Sequence, residues 1–313
     1  MPAITREPRQ HKEAPRRQSQ RRVDKKHLQV IRVPAWSELS WLLHGFSTRT
    51  GGKSTVYTPT QHTGELNLSF TASDTRGTVL ANRRLFVDAV TKNAGTPLVT
   101  LQQIHSAAVH VVSKADAGDE ARYKGDGMMT SEPDILLTIQ TADCIPVLIA
   151  DRQKRVVAAF HAGWRGTLKR IVENGVGRMR MEFGCLPQDL VAAIGPGIGA
   201  CCYAVGEEVR MEFESQFSYA SELFFEAYSS DPVKEKYPLL FLTARAPGHS
   251  NIGPALHLDL LEANRRQLLD VGISGDNIFI QGDCTSCRTD LYFSHRGDHG
   301  FTGRSLSVIG IRK

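Results

Sequence analysis

Cys144 and His161 are the residues of this 313-residue chain best placed to do chemistry. Cys144 lies in T-A-D-C-I-P at 141–146 and His161 opens H-A-G-W-R-G at 161–166. Between them, apolar runs at 146–150 and 156–160 flank a charged R-Q-K-R turn. That pattern predicts a strand pair with one metal-capable side chain at an end of each strand. His105, closing V-T-L-Q-Q-I-H at 99–105, is a third residue placed in the same way. Zinc is held by Cys and His, and a catalytic zinc uses three protein ligands and leaves a fourth position for water or substrate. His105, Cys144 and His161 have that count. The same residues fit a cysteine hydrolase in which His161 or His105 activates the Cys144 thiolate. Ligands 39 and 17 residues apart make no local pattern. Taken singly, each has an ordinary reading as a core or loop residue, and both chemistries stay open.

Other constellations are weaker. Cys284-x-x-Cys287 needs two further ligands, and the sequence shows no second pair of this kind. The zinc deaminase signature is H-x-E followed by P-C-x-x-C. Here the one H-x-E is His11-Lys12-Glu13, near the N-terminus, and Asp283 stands where the Pro belongs, so the match is chance. The Gly-rich stretch at 44–54 holds Arg49, Gly51, Gly52 and Lys53 but lacks P-loop spacing. The run I-G-P-G-I-G-A-C-C-Y at 194–203 lacks the third Gly of a dinucleotide fingerprint, which removes that reading.

The elements that must position these residues follow from periodicity. Strands are predicted at 27–33, 65–70, 135–140, 190–194, 277–280 and 305–311, and a hairpin-like pair at 99–105 and 108–113. Helices are predicted at 74–92, with Val79, Leu80, Leu85, Phe86, Val87 and Val90 on its apolar face, and at 166–183, 205–213 and 256–270. G-D-G at 125–127 reads as a turn, and 219–253, with Pro232, Pro238 and Pro247, as irregular chain. No internal repeat or long linker follows residue 26, which predicts a single domain.

The formal charge of +5 resides at the N-terminus. Residues 1–26 hold nine of the 38 Lys/Arg and three of the 33 acids, leaving 29 basic and 30 acidic residues for the rest. The folded part is therefore not basic, and nucleic acid is not an expected partner beyond weak contacts of the tail. Lacking aromatics and rich in Arg, Gln and Pro, residues 1–26 are predicted to be a disordered basic tail ahead of a catalytic domain at 27–313. The most apolar window, 135–150, is interrupted by Gln140, Asp143 and Pro146 and is too short for a membrane span. Six cysteines without a secretory signal point to reduced thiols in the cytoplasm.

Q-I-H at 103–105, T-A-D-C-I-P, H-A-G-W-R-G, I-G-P-G-I-G with Cys202, Tyr203 and Val205, and F-S-H-R-G-D with T-G-R at 293–304 together resemble the YfiH family. This is the laccase-domain or polyphenol oxidoreductase family, regarded as purine nucleoside phosphorylases. The resemblance runs from about His44 to the C-terminus. It implies an α+β fold in a single domain with a β-sandwich-like core between helical layers, similar to a toxin with a Cys-His catalytic pair. It implies a catalytic Zn2+ on His105, Cys144 and His161. The implied activities are phosphorolysis of adenosine, inosine and S-methyl-5′-thioadenosine, with adenosine deamination besides. The older copper-laccase reading fits poorly, because a multicopper oxidase needs roughly ten His ligands and this chain has 11 His in all, several in the tail or in loops. Two departures stand out. Ser294-His295-Arg296-Gly297 replaces the usual S-Y-R-R, and Asn67-Leu68 lacks the Gly-Asp that accompanies it in the family.

Phosphorolysis needs phosphate held against C1′ and a stabilised leaving base. Arg49 and Arg165 are the candidate catalytic cations, Arg being suited to forked contact with phosphate oxygens. Asp143 is the candidate for orienting a ligand His or moving a proton, with a turn role as its alternative. Asn67 and Gln103 are candidates for binding ribose or base edges.

Overall fold

The apolar runs around the R-Q-K-R turn form an antiparallel hairpin at the centre of the fold, Ile145–Asp151 against Val157–Ala162. The computed structural model describes residues 27–57, 64–118, 121–227 and 255–313, so the basic stretch 1–26 lies outside it. In chain order the strands are β1 (Val30–Ile31), β2 (Leu42–Ser47), β3 (Thr50–Ser54), β4 (Leu98–Val99), β5 (Leu101–Gln102), β6 (Val109–Val111), β7 (Tyr123–Lys124) and β8 (Gly127–Thr130). They continue with β9 (Leu136–Thr141), β10 (Ile145–Asp151), β11 (Val157–Ala162), β12 (Leu190–Ile194), β13 (Phe224–Ala227), β14 (Ala255–Leu258), β15 (Ile278–Ile280) and β16 (Ser305–Ile311). The helices are α1 (Arg76–Thr91), α2 (Trp164–Leu168), α3 (Ile171–Phe183), α4 (Glu207–Gln216) and α5 (Leu260–Asp270).

Two sheets face each other, one ordered β1-β2-β16-β9-β4 and the other β15-β12-β10-β11-β8-β6. Successive side chains on a strand point to opposite faces, so each strand can be apolar on both sides only if both are covered. The inner faces meet through Leu137, Ile139, Ile309 and Ile311 of the first sheet and Leu148, Val157, Ala159 and Ala193 of the second. On the outer face of the second sheet, Val172, Val176 and Met179 of α3, Phe213 of α4 and Leu268 of α5 cover Val147, Phe160 and Ile194. A Cβ at Gly175 would run into the Phe160 ring, so this glycine sets how closely α3 lies on the sheet. Phe86, Val87 and Val90 of α1 cover Leu43, Leu136 and Val308 on the first sheet. The fold is thus the α+β single domain, with a sandwich core between helical layers, that the resemblance implied.

Several local expectations fail because the pairing partners lie far away in the chain. The segment 65–70, expected as a strand, forms isolated bridges of Glu65 to Thr50 and Ser54. The expected hairpin at 99–105 and 108–113 is split, with β4 parallel to β9 in one sheet and β6 parallel to β8 in the other. The helix expected at 256–270 begins as strand β14 on β13, and only then does the Asp259 side chain cap α5 by accepting from the Glu262 amide. The helix expected at 166–183 is two, broken at Arg170, whose φ of 58° is left-handed. Residues 228–253 of the stretch expected to be irregular lie outside the described residues.

His44 ties β2 to the segment before it. Its Nε2 accepts from the Val33 amide at 2.9 Å, its ring meets Trp36 edge-on at 4.9 Å, and it is buried. Burial, and next the charge of Arg32, push its pKa down to about 4. Between pH 6.5 and about 4 the unfolded chain takes up a proton that the folded one refuses. The stability His44 confers is therefore complete above pH 6.5 and is lost as pH falls. The difference amounts to about 3 kcal/mol at most. Urea unfolding at pH 7 and pH 4.5 should show wild type losing about 2–3 kcal/mol more than His44→Gln, which keeps an acceptor but does not titrate. Parallel losses in the two proteins would refute the assignment.

Candidate metal centre and its surroundings

The carboxylate of Asp126, in the turn before β8, is completely buried. It accepts from the backbone amides of Ile104 (3.3 Å), His105 (3.0 Å) and Ser106 (2.6 Å), and from Ser106 Oγ (2.7 Å). It also accepts from His161 Nδ1 at 2.8 Å. Burial works against its charge, but the donors from His161 and Ser106 outweigh burial and hold its pKa at about 2. The carboxylate is therefore ionised and Nδ1 of His161 carries the proton, which turns Nε2 toward the neighbouring ligands. The three amides also explain the backbone of His105, whose φ of 57° is uncommon for a residue with a Cβ.

His105, Cys144 and His161 converge. One ligand atom from each lies within 4.8 Å of the others, Cys144 Sγ stands 3.8 Å from His105 Nε2, and the two imidazoles meet edge-on at 4.9 Å. A tetrahedral zinc with Zn–S of about 2.3 Å and Zn–N of about 2.0 Å spans a sulfur–nitrogen edge of about 3.5 Å, so these residues fit such an ion. Gly163 lines the group: a Cβ there would lie 2.9 Å from His105 Cδ2 and 3.0 Å from Cys144 Sγ. Burial pushes the Cys144 thiol up, yet contacts with His105 and His161 outweigh it and hold the thiol at about 6. Burial likewise disfavours charge on His161, while Asp126 and Cys144 raise it to about 9. The protein thus presents a thiolate, the form that both a metal and an electrophile require.

Asp143, at φ 95°, turns the chain into Cys144. Its carboxylate accepts from Thr285 Oγ1, Ser294 Oγ and the Arg296 amide, each at 2.7 Å. This geometry makes it a positioning residue that docks the 285–296 loop beside the site. Tyr203 stands close enough to feel Cys144, Arg296, Asp143 and Arg165. Burial, then the charge of Cys144, push its phenol up to about 12, so at neutral pH it remains a donor. Arg296 lies over the Tyr203 ring at 5.8 Å, and exposed Arg165 over Trp164 at 4.3 Å.

Three expected site residues have other work. Arg49 is buried, with Nε and Nη2 on Glu65 and Nη1 on Asp298 and the carbonyls of Thr289 and Tyr292. Each of its nitrogens has a protein acceptor, so it does not offer an anion the fork expected of it. Asn67, also buried, gives Nδ2 to Asp74 and the Ser69 carbonyl and takes the Ser69 and Arg304 amides on Oδ1. Gln103 clasps the Gln140 backbone with both ends of its amide. The Asn67 amide is thus spent on the protein's own loops, and the Gln103 amide is held against the Gln140 backbone. Cys284-x-x-Cys287 does have a second pair: Cys201 and Cys202 bring the four sulfurs within 4.8 Å of one another.

In the sequence Asp126 reads as a turn residue, and Tyr203 and Arg296 stand within motifs whose pattern assigns them no role. An acid between two glycines directly before the apolar G-M-M run was the available signal, since a charge entering a core strand needs partners.

A β-sandwich that gathers His161 from β11, Cys144 just ahead of β10 and His105 from the 104–106 loop, above a buried carboxylate, defines a protein with an open, metal-capable centre. The chain belongs to the family described as multi-copper polyphenol oxidoreductase laccase, whose model matches residues 43–312. It is 33% identical over 278 residues to purine nucleoside phosphorylase YlmD of Geobacillus stearothermophilus, covering 86% of this chain and 90% of that protein. It is 35% identical over 268 residues to a purine nucleoside phosphorylase of Deinococcus radiodurans, covering 86% and 88%. Among solved structures, Bacillus licheniformis hypothetical protein YfiH matches with a TM-score of 0.74 at 30% identity, covering 93% of this chain and 98% of that one. YlmD from Geobacillus stearothermophilus matches with 0.73 at 31% identity, covering 90% and 94%. Among the described residues no helix is long and apolar enough to cross a membrane.

Asp126→Asn replaces one acceptor oxygen with a donor that faces amide donors. Titration against a chromophoric chelator should show zinc affinity lowered by about 10- to 100-fold. Unchanged affinity would mean that Asp126 does not organise the centre.

Proposed function

We propose that residues 27–313 form a zinc-dependent purine nucleoside phosphorylase, acting on adenosine, inosine and S-methyl-5′-thioadenosine and also deaminating adenosine, in the cytoplasm. The observation that carries this reading is the convergence of His105, Cys144 and His161, with Asp126 behind them, in a chain whose relatives along nearly their full length are named purine nucleoside phosphorylases. A bound zinc supplies Lewis acidity toward phosphate or a polar substrate atom and, for deamination, acidifies a water to a pKa of about 7.

The chain's own residues supply the rest. Asp126 keeps the His161 proton on Nδ1, which leaves Nε2 for the metal. Arg165, exposed beside the centre, replaces Arg49 as the cation for phosphate, and Arg296 joins it from the loop that Asp143 docks. Paired cations hold the nucleophile against C1′ as the N-glycosidic bond breaks and the base leaves. Tyr203, kept protonated, donates a hydrogen bond to the substrate.

Among the described residues no metal-capable group gathers more than two His, which weighs against a multicopper polyphenol oxidase. A specific observation does favour a second reading: the depressed Cys144 and raised His161 form a thiolate–imidazolium pair, as in a cysteine hydrolase. The hydrolase would survive chelation and die on alkylation, whereas the phosphorylase would lose activity to chelation.

Incubating the protein with adenosine and phosphate and separating adenine from inosine tests the main reading. Adenine should form only with phosphate, inosine reports deamination, and Cys144→Ala should lower kcat/KM by at least about 100-fold. Full activity in that variant would sink the zinc reading, and adenine release independent of phosphate would sink phosphorolysis.

A further inference from the structure

A second concentration of metal-capable side chains lies outside the His105 group. Cys201 and Cys202 follow β12, Cys284 and Cys287 follow β15, and all four are free thiols. The two strands are parallel neighbours, so they release their loops side by side. A bridge between Gly197 and Cys284, with the Thr285 amide donating to the Gly197 carbonyl at 2.9 Å, extends that pairing into the loops.

The sulfurs are spaced for one ion. All four lie within 4.8 Å of one another, with Cys287 Sγ 3.5 Å from Cys201 Sγ and 3.3 Å from Cys202 Sγ. A tetrahedral zinc with Zn–S bonds of about 2.3 Å sets sulfur–sulfur edges of about 3.8 Å. A cluster of several irons with bridging sulfides would spread its thiolates farther apart than a single ion does. The Gly199 amide donates to Cys284 Sγ at 3.1 Å, a contact that favours the thiolate. A Cβ at Gly199 would lie 3.0 Å from Cys284 Cβ and 3.2 Å from Cys201 Sγ, so the missing side chain is what admits the amide.

We infer that Cys201, Cys202, Cys284 and Cys287 bind a structural zinc ion as a tetrathiolate, which staples the loop after β12 to the loop after β15. Four S–H bonds are lost and four Zn–S bonds form, four protons go to solvent, the site carries a net charge of −2, and nothing is oxidised or reduced. The consequence reaches the first centre. One stapled loop carries Tyr203, the other Thr285, Ser294 and Arg296, and these groups surround Asp143 and Cys144. The staple therefore sets the spacing of the wall that faces substrate.

Zinc content and zinc-edge X-ray absorption of the full chain test this independently of the proposed activity. His105→Ala/Cys144→Ala should retain about one zinc per chain with sulfur neighbours alone at about 2.3 Å. Cys284→Ser/Cys287→Ser should lose that all-sulfur shell. Should this variant fail to fold, Cys201→Ser alone should give up zinc to a chelator at least about 10-fold more readily than wild type. A wild-type protein with a single, all-sulfur zinc would remove the metal from the His105 group and uphold the staple. Folded His105→Ala/Cys144→Ala without zinc, iron in its place, a disulfide among the four cysteines, or unchanged zinc retention in Cys201→Ser would each overturn the inference.

Discussion

The buried charge of Asp126 is the constraint on which the rest of the site depends. Removing a carboxylate from water costs several kcal/mol unless its lone pairs are filled. Here they are filled by three consecutive amides, one hydroxyl and one imidazole. Hydrogen bonds to a charged acceptor contribute roughly 1.5–3 kcal/mol each, enough in sum to hold a loop in a backbone shape that His105 would not adopt alone. A single side chain thereby fixes two of the three groups that meet at Cys144. It does so from the turn that leads into β8, which is itself paired to β11, the strand that carries His161.

A second carboxylate does the same for the other side of the site. Asp143 precedes Cys144 and collects donors from Thr285, Ser294 and Arg296, so the turn that presents the thiol also receives the C-terminal loop. Arg49 supports that loop from below through Glu65 and Asp298. Arg296, next to the centre, thus belongs to a loop whose position is set by buried polar networks. Such networks specify a geometry strongly when every member is satisfied. The cysteine quartet sits where the loops leave β12 and β15, and a metal there would add a covalent-strength tie to the wall.

The central hairpin, α1, β12 and β16 were legible in the sequence because each is a local apolar pattern with turn or cap residues at its ends. The three ligands were legible as residue types at strand ends. Their convergence was not, because it requires β10 and β11 to pair and the 104–106 loop to fold onto Asp126. Arg49, Asn67 and Gln103 misled for a related reason. A polar side chain in a Gly-rich or motif-bearing stretch looks available to a ligand, but each had already met a protein partner that sequence distance concealed. Arg49 finds Asp298 after 249 residues, and Asn67 finds Arg304 after 237.

By itself, the sequence determined which segments are apolar enough to form strands and helices, that the excess positive charge lies in residues 1–26, and that Cys144, His105 and His161 were chemically capable. Only the tertiary structure decided which capable residues share a site. It made Asp126 a keystone rather than a turn residue, gave Arg296 and Tyr203 a place beside Cys144, and joined Cys201 and Cys202 to Cys284 and Cys287. The physical reason is range. Periodicity reports on neighbours within a few residues, whereas burial of a charge and convergence of ligands are satisfied by partners dozens to hundreds of residues away.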